Sequence, residues 1–216
     1  MKRRILWAMT AALVLLPVPA LAHPHVYVDS HTEFVFDAEG KLTALRHDWI
    51  FDEGFSSFAS QGLDTDNDGK LSREELQPLA KINVESLLEY GYFTIPRVDG
   101  KKVGFKVPSD YYLTYAKGEL TLHFTLPLRE TVDPKGHKIE VDVYDPGYFV
   151  DFELMKDKPA TVTGLDGCSV AVKRKPDPDD ATAALLGSIP ASERALPRSL
   201  QKLTETLANR LTLDCK

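Results

Sequence analysis

The first segment of the chain alternates apolar and polar residues with a period of two. Val26, Val28, Phe34 and Phe36 are apolar and all lie at even positions, which is typical of a strand with one buried face. The turn-forming sequence DAEGK at 37–41 separates this segment from LTALRHDWIF at 42–51. The pattern predicts an antiparallel hairpin, with His47 on the same face as the apolar residues of the second strand.

The apolar spacing becomes helical between residues 52 and 90. Phe51, Phe55 and Phe58 recur at intervals of three to four, and a second run with such intervals extends from Leu76 to Leu88. Spacing of this kind places the side chains on one face of a helix. We therefore predict two helices, which flank an acidic loop and interrupt the order of strands.

The period of two returns between residues 92 and 173. Seven short strand candidates are separated there by turns rich in Gly, Pro and Asp. They are 92–98, 102–107, 111–116, 119–128, 138–145, 148–154 and 168–173. Strands at this spacing favour an antiparallel sandwich. The expected fold class is therefore α+β: a mainly antiparallel domain over 23–173 with a helix-loop-helix insertion at about 52–90.

The end of the chain has a different composition. Residues 174–180 form a proline-rich stretch that we interpret as a linker, and residues 181–216 are expected to be a helical segment. A one-sided apolar stripe predicts its main helix; it consists of Leu196, Leu200, Leu203, Leu207 and Leu211. The helix is expected to dock on the sheet, and a helix that binds a partner is the alternative.

The amino terminus has the features of a secretory signal peptide. Three basic residues at 2–4 precede an apolar run at 5–16 and the small-residue pattern Ala-Leu-Ala at 20–22. A membrane anchor is the alternative, but the apolar run is short for a membrane span and Pro17 and Pro19 follow it. We predict cleavage after residue 22 and a periplasmic location.

Net charge limits the classes of ligand. The formal charge of the whole chain is −6. Residues 1–22 carry three positive charges and no negative ones, so the remaining 216 − 22 = 194 residues carry −6 − 3 = −9. Nucleic acid and anionic lipid are therefore disfavoured as partners, because no basic patch offsets this repulsion. Cations are the natural ligands.

The two cysteines, Cys168 and Cys215, are expected to form a disulfide. An exported chain with two cysteines most simply pairs them, and closing a loop of this length stabilises the fold by about 4 kcal/mol in the chain-entropy model. Two free thiols are the alternative.

The sequence DTDNDGKLSREE at 64–75 matches the twelve-residue EF-hand calcium loop. Calcium prefers six to eight oxygen ligands, and the glycine at the sixth position lets the loop turn sharply enough to supply them. The expected ligands are Asp64, Asp66, Asp68, the Lys70 carbonyl, Ser72 and Glu75. An acidic surface turn is the alternative. A single loop of this kind predicts a structural ion rather than a calcium switch, and residues 52–90 should be less stable without it.

The histidines suggest a second, transition-metal site. After cleavage His23 would offer both its ring and a free amine, and His25 would lie one strand step away on the same side. Nitrogen ligands of this kind suit nickel, cobalt, zinc or copper. Pro24 has no amide hydrogen, which excludes the square-planar amino-terminal copper mode. His47 is the best candidate for a third ligand and His123 the next, although each taken alone is more often an ordinary hydrogen-bonded histidine.

Other chemical signals are weak. His31 and His137 lie near predicted turns and are expected to be exposed to solvent. The sequence has no Gly-x-Ser-x-Gly elbow, no phosphate-binding loop and no His-Glu-x-x-His helix. No catalytic residue is therefore predicted, and a copper oxidase that uses the amino-terminal histidine is kept as an alternative.

Five motifs together resemble a family of bacterial exported proteins, the domain of unknown function 1007. The similarity covers most of the mature chain up to about residue 175, and the order of the motifs is more specific than any one of them. The motifs are AHPHVYVD at 22–29, WIFDEGFS at 49–56, the acidic loop at 64–75, GYFT at 91–94 and YDPGYFVDF at 144–152.

This resemblance implies a role in transport. Members are described as a periplasmic component of an ABC-type system and are often encoded beside nickel- and cobalt-type membrane permeases. It implies an accessory protein that exchanges a transition-metal ion with a membrane permease. A usual solute-binding protein is not expected, because two α/β lobes need a longer chain with alternating strands and helices. A calcium-stabilised structural or adaptor protein is the competing hypothesis, and a copper-dependent oxidoreductase is the third.

Overall fold

The structure is a computed structural model that describes residues 24–190, 196 and 198–216. The predicted signal peptide at 1–22 and His23 lie outside these residues. Two mainly antiparallel sheets and several helices confirm the α+β class. The strands are β1 (Val26–Phe36), β2 (Leu42–Phe51), β3 (Thr94–Val98), β4 (Lys101–Lys102), β5 (Tyr111–Ala116), β6 (Glu119–Val132), β7 (Ile139–Val143), β8 (Val150–Leu154), β9 (Ala160–Thr163), β10 (Cys168–Lys173) and β11 (Asn209–Cys215). The helices are α1 (Glu53–Ala59), α2 (Arg73–Leu87), α3 (Asp180–Gly187) and α4 (Arg198–Thr206), with a 3₁₀ segment at Leu88–Phe93.

The first sheet has the strand order β5-β6-β2-β1-β8, and β9 also pairs with β1. The predicted hairpin of β1 and β2 is confirmed, and it places His31 opposite Asp48 and Thr32 opposite His47. A register shift between Val35 and Phe36 separates this pairing from the turn. Strands β8 and β9 run parallel to β1, so the sheet is not wholly antiparallel.

The second sheet has the order β10-β11-β7-β3-β4. The C-terminal helix is confirmed as α4, but it ends at Thr206, and residues 209–215 form a strand rather than the end of a helix. The leucine stripe predicted a helix through Leu211 because Leu207 and Leu211 are four residues apart. In the structure Leu211 and Leu213 alternate with polar residues and enter the core as strand residues.

Two short segments need separate description. The strand predicted at 102–107 is reduced to β4 and one bridge between Phe105 and Leu128, since Gly104 disfavours a regular strand and Pro108 follows it closely. The segment interpreted as a linker is irregular over 174–179, and its last residue, Asp180, begins α3. Its first residue is nevertheless fixed, because the Arg174 guanidinium donates hydrogen bonds to the carbonyls of Leu154 and Met155.

One continuous core joins both sheets and α2. Its largest fully buried side chains come from the first sheet and include Trp49, Phe34 and Phe124, and Val141 and Leu211 enter it from the second. Burying aromatic and branched side chains of this size stabilises a fold by about 1.5–3 kcal/mol each. The core therefore fixes the positions of β1 and β2.

The predicted disulfide is confirmed. Cys168 and Cys215 are bonded and stand opposite each other in the pair β10–β11. The bond ties the C-terminal strand to its neighbour.

In the part of the chain that the structure describes, no helix is both long and apolar enough to span a membrane.

Candidate metal sites and the histidine network

The loop 64–75 follows α1, as the sequence predicted, and its last three residues form the first turn of α2. Ser72 caps α2 and forms a capping box with Glu75, in which each side chain accepts a hydrogen bond from the other residue's backbone N–H. Gly69 has a positive φ of 80°, which the sharp turn requires. Leu71 packs against the core and anchors the loop. The capping box, the glycine turn and the packed leucine together fix the conformation of the loop.

Three of the six expected calcium ligands lie close together in the loop. Carboxylate oxygens of Asp64, Asp66 and Asp68 lie within 4.8 Å of one another. Oxygens that bind one calcium ion at about 2.3–2.6 Å are separated by no more than about 5 Å, so the three side chains can share an ion. The loop amides hold these carboxylates: Asp64 accepts from the N–H groups of Asp68 and Gly69 at 3.1 and 3.0 Å.

Glu75, the expected ligand at position twelve, is held beside the same loop. Its Oε1 accepts from the backbone N–H and the hydroxyl of Thr65 at 2.7 and 2.9 Å. Its Oε2 accepts from the backbone N–H of Ser72 at 2.9 Å. These donors, that of Ser72 first, lower the pKa of Glu75 to about 2. The carboxyl group is thus ionised at neutral pH, as a calcium ligand must be.

His47 is a core residue. Its ring is fully buried, stacked on Phe124 with the centroids 5.2 Å apart. Nδ1 lies 3.1 Å from the Thr32 hydroxyl and Nε2 lies 3.3 Å from the Thr94 hydroxyl. Because Thr94 donates its own proton to the Tyr92 carbonyl, it must accept from Nε2–H. Nδ1 must then accept from Thr32, which assigns the neutral Nε2–H tautomer.

This arrangement bridges the two sheets, since Thr32 lies in β1 and Thr94 in β3. Burial lowers the pKa of His47 to about 3, because a charged ring cannot be solvated there. Both ring nitrogens are engaged by hydroxyl groups. His47 is therefore placed as a structural group rather than as a third ligand for His25.

A second histidine network lies on the opposite face of the same sheet. Asp48 accepts hydrogen bonds from Nδ1 of His123 at 2.6 Å and from Nδ1 of His31 at 3.3 Å. The hydrogen bonds from His123 and His31 hold the pKa of Asp48 well below its ordinary value. The expectation that His31 is exposed is wrong: its side chain is only 16% exposed, because it lies in the middle of β1 rather than in a turn.

The network continues across neighbouring strands. Nε2 of His31 lies 3.0 Å from the Thr161 hydroxyl, and Nε2 of His123 lies 3.0 Å from the Thr114 hydroxyl. The ring of His123 also stacks on Tyr112 at a centroid distance of 4.5 Å. Each ring nitrogen thus has a partner, and the row joins strands β5, β6, β2, β1 and β9.

His25 stands apart from both networks. It is exposed, its backbone N–H donates to the Phe149 carbonyl, and its ring lies 4.7 Å from the Phe149 ring. Seven residues separate His25 from Thr32, the partner of His47 across the hairpin. That is about 23 Å along a strand. Neither His47 nor His123 is therefore brought to the predicted amino-terminal site, and His23 lies outside the described residues.

Four of the five motifs that carry the family resemblance meet at one pocket. Side chains from segments 22–29, 49–56, 91–94 and 144–152 line it, together with the end of α2. Parallel pairing of β1 with β8 brings the first and last of these motifs together. Asp145 fixes the turn before β8, since its carboxylate accepts from the N–H groups of Gly147, Phe149 and Val150.

Comparison with known proteins agrees with this pattern. The model of the family described as "Protein of unknown function (DUF1007)" matches residues 8–215. The chain belongs to this family. This chain is also similar to an uncharacterized 15.5 kDa protein in the trpE 3' region of Spirochaeta aurantia. It is 32% identical over 115 residues, which cover 52% of this chain and 81% of that protein.

The sequence did not single out Asp48, and it placed His31 in the wrong environment. The signal was present in the alternation of the hairpin, which puts both residues on the face turned away from the core. The core face of β1 and β2 carries the stronger sequence signal, because His47 stands among its aromatic residues. The pairing of His31 with Asp48 depends on the strand register, which the pattern alone does not give.

Proposed function

We propose that this DUF1007 protein is an exported accessory protein of a metal-transport system. It binds one structural calcium ion in the loop 64–75 and handles a transition-metal ion at its amino-terminal histidines, His23 and His25. The partner is a membrane permease or transporter subunit of nickel, cobalt or zinc. The single observation that carries the metal-binding part is the approach of three carboxylates in a loop with the EF-hand ligand order.

The calcium proposal is tested by thermal melts of the chain 23–216 in calcium, in magnesium and in EDTA. At a calcium concentration 100 times the Kd, binding stabilises the folded state by about 2.7 kcal/mol. This corresponds to a rise in Tm of about 5–10 °C for a chain of this length. Asp66→Ala should abolish the rise, and Asp177→Ala, an exposed carboxylate outside the loop, should retain it. Equal Tm values in calcium and EDTA would refute the proposal.

The transition-metal proposal rests on the position of His25. This residue is exposed and immediately precedes β1, within two residues of the predicted amino terminus. An imidazole and a terminal amine are ligands that nickel, cobalt, zinc and copper accept. The net charge of −9 expected for the mature chain favours cations. The family context supplies the transport role.

Metal titrations test this part directly. The chain with a native His23 terminus is compared with a chain that carries one extra residue before His23 and with the double variant His23→Ala, His25→Ala. We expect tighter binding of nickel, cobalt, zinc or copper to the native terminus than to either control. His47→Gln should leave the affinity unchanged, because that ring is buried and engaged. Equal affinities for all three chains would reject the amino-terminal site.

A calcium-stabilised adaptor is the second candidate. It is favoured by apolar side chains on the exposed side of α2 and the following 3₁₀ segment, where Ile82 and Leu88 are 60% and 54% exposed. The calcium response without any transition-metal binding would support it. Redox turnover with bound copper would instead support the oxidoreductase alternative.

A further inference from the structure

The pocket shared by the family motifs has a volume of about 290 Å³. This lies at the small end of the range for small-molecule sites, about 300–1,000 Å³. Its walls are mostly aromatic and aliphatic and come from β1, β2, α1, α2, β6 and β8. Tyr90, which is 41% exposed, stands among the residues that line it. A site of this size suits a small ligand with an aromatic or short aliphatic body.

Two polar groups among these walls point to a ligand. Trp49 lines the pocket and is only 1% exposed, and its Nε1–H donor has no hydrogen-bond partner within the described ranges. Asn83 lines the same pocket from α2, and its Nδ2 atom is likewise buried and unpaired in the described part of the chain. An unsatisfied buried donor costs about 1–3 kcal/mol, so two in one pocket call for an acceptor.

The charge of the pocket selects the kind of acceptor. Asp145 is also a lining residue, and its carboxylate accepts backbone N–H groups of its own turn. An anionic ligand would be repelled by this carboxylate and by the net charge of the chain. A neutral oxygen, such as the carbonyl of a ketone, amide or ester, can accept from Trp49 or Asn83 without that cost.

We propose that this pocket binds a small, uncharged, apolar molecule through a carbonyl oxygen that accepts hydrogen bonds from Trp49 Nε1 and Asn83 Nδ2. The proposal is independent of the metal sites, since neither calcium nor the amino-terminal histidines form the pocket walls. It assigns a binding role to three motifs that the metal hypothesis leaves unexplained, at 49–56, 91–94 and 144–152.

Three probes of similar shape test the acceptor directly: acetophenone with a neutral carbonyl, ethylbenzene without oxygen, and benzoate with a charge. In the chain 23–216 Trp49 is the only tryptophan, so one indole N–H signal in a ¹⁵N–¹H NMR spectrum reports on the proposed donor. Acetophenone should move this signal downfield and bind about 5–10-fold more tightly than ethylbenzene. Benzoate should bind more weakly than acetophenone.

Asn83→Leu separates the second donor from simple packing. It should weaken acetophenone binding about fivefold and leave ethylbenzene binding unchanged or tighter. Gln77→Leu makes the corresponding change on the same helix outside the pocket, and it should alter neither affinity. Thermal melts of both variants show whether they are folded, and the probe series on the unaltered chain stands without them.

Several outcomes would overturn the proposal. The proposal fails if all three probes leave the indole signal unchanged, or if the signal responds equally to acetophenone and ethylbenzene. It also fails if benzoate binds more tightly than the other two probes. An indole signal already shifted to the hydrogen-bonded position and insensitive to added probe would mean that the chain itself, rather than a small molecule, supplies the acceptor.

Discussion

The two faces of the sheet β5-β6-β2-β1-β8 use histidine in opposite ways. On the inner face His47 is buried and neutral, and two threonine hydroxyls satisfy its ring. On the outer face His31 and His123 flank an ionised carboxylate, Asp48, that is partly exposed. Both arrangements lower a pKa, but burial does so for His47 and donated hydrogen bonds do so for Asp48. His47 and Asp48 are neighbours in β2, yet the fold keeps the first neutral and the second ionised.

The largest expected effect comes from removing the inner histidine. His47→Ala should cost about 3 kcal/mol of unfolding free energy, because it leaves a cavity and deprives two buried hydroxyls of their partner. Urea unfolding at pH 7 measures this loss. His123→Ala, on the outer face, is the matched control and should cost about 1 kcal/mol or less. Equal losses would show that the two faces do not differ as described.

The second effect is a pH dependence that belongs to the inner face. The pKa of His47 is about 3 in the folded chain, against the ordinary histidine value of 6.5 once the chain unfolds, so the unfolded chain takes up the proton first. The contribution of neutral His47 to the unfolding free energy is fully present above pH 6.5. It is lost as the pH falls toward 3, by at most about 1.4 kcal/mol per pH unit. Unfolding free energies at pH 7, 6 and 5 should therefore fall less steeply for His47→Gln. Parallel slopes would contradict a neutral, buried His47.

The third effect concerns the outer face. Asp48→Ala removes the shared acceptor of His31 and His123, and because the site is partly solvated the loss should be about 1 kcal/mol at pH 7. Since the pKa of Asp48 is lowered by folding, its contribution should be complete above about pH 4 and should decline gradually as the pH falls further toward the folded-state pKa. The measurement is the difference in unfolding free energy between the variant and the parent chain at pH 7 and pH 3. A larger loss at pH 3 than at pH 7 would refute this sign.

The smallest expected effect comes from an exposed histidine–carboxylate pair, which serves as the reference for the other variants. His137 and Asp99 form an exposed pair, with Nδ1 2.7 Å from the carboxylate and both side chains about half exposed. His137→Ala should change the unfolding free energy by less than about 0.5 kcal/mol in the same urea experiment. A loss as large as that of Asp48→Ala would mean that partial burial does not strengthen the hydrogen bonds of the second histidine network.

The strand pattern and the acidic loop were strong enough in the sequence to predict most of the architecture. Periodicity gave the hairpin, the helical insertion and the antiparallel strands, and the ligand order gave the loop 64–75. The histidine partners were not predictable, because they depend on one irregularity. Counting back from the turn pairs His31 with His47, and the register shift at Val35 moves its partner to Asp48. A one-residue shift in pairing exchanges the two faces of a strand.

The C-terminal strand was missed for a related reason. Its leucines fit a helix and a strand equally well over a short span, and only pairing with β7 and β10 decides between them. Such pairing is a long-range property, since β11 is separated from β7 by more than sixty residues of chain. Local patterns carry little information about contacts of this kind.

The position of β11 has a consequence for the time course of folding. Strand β11 lies in the interior of the second sheet, between β10 and β7. That sheet cannot be completed until residues 209–215 are available, however early the first hairpin forms. Contacts this distant in sequence slow folding. During synthesis from the amino terminus, the second sheet would therefore stay incomplete until residues 209–215 have been added.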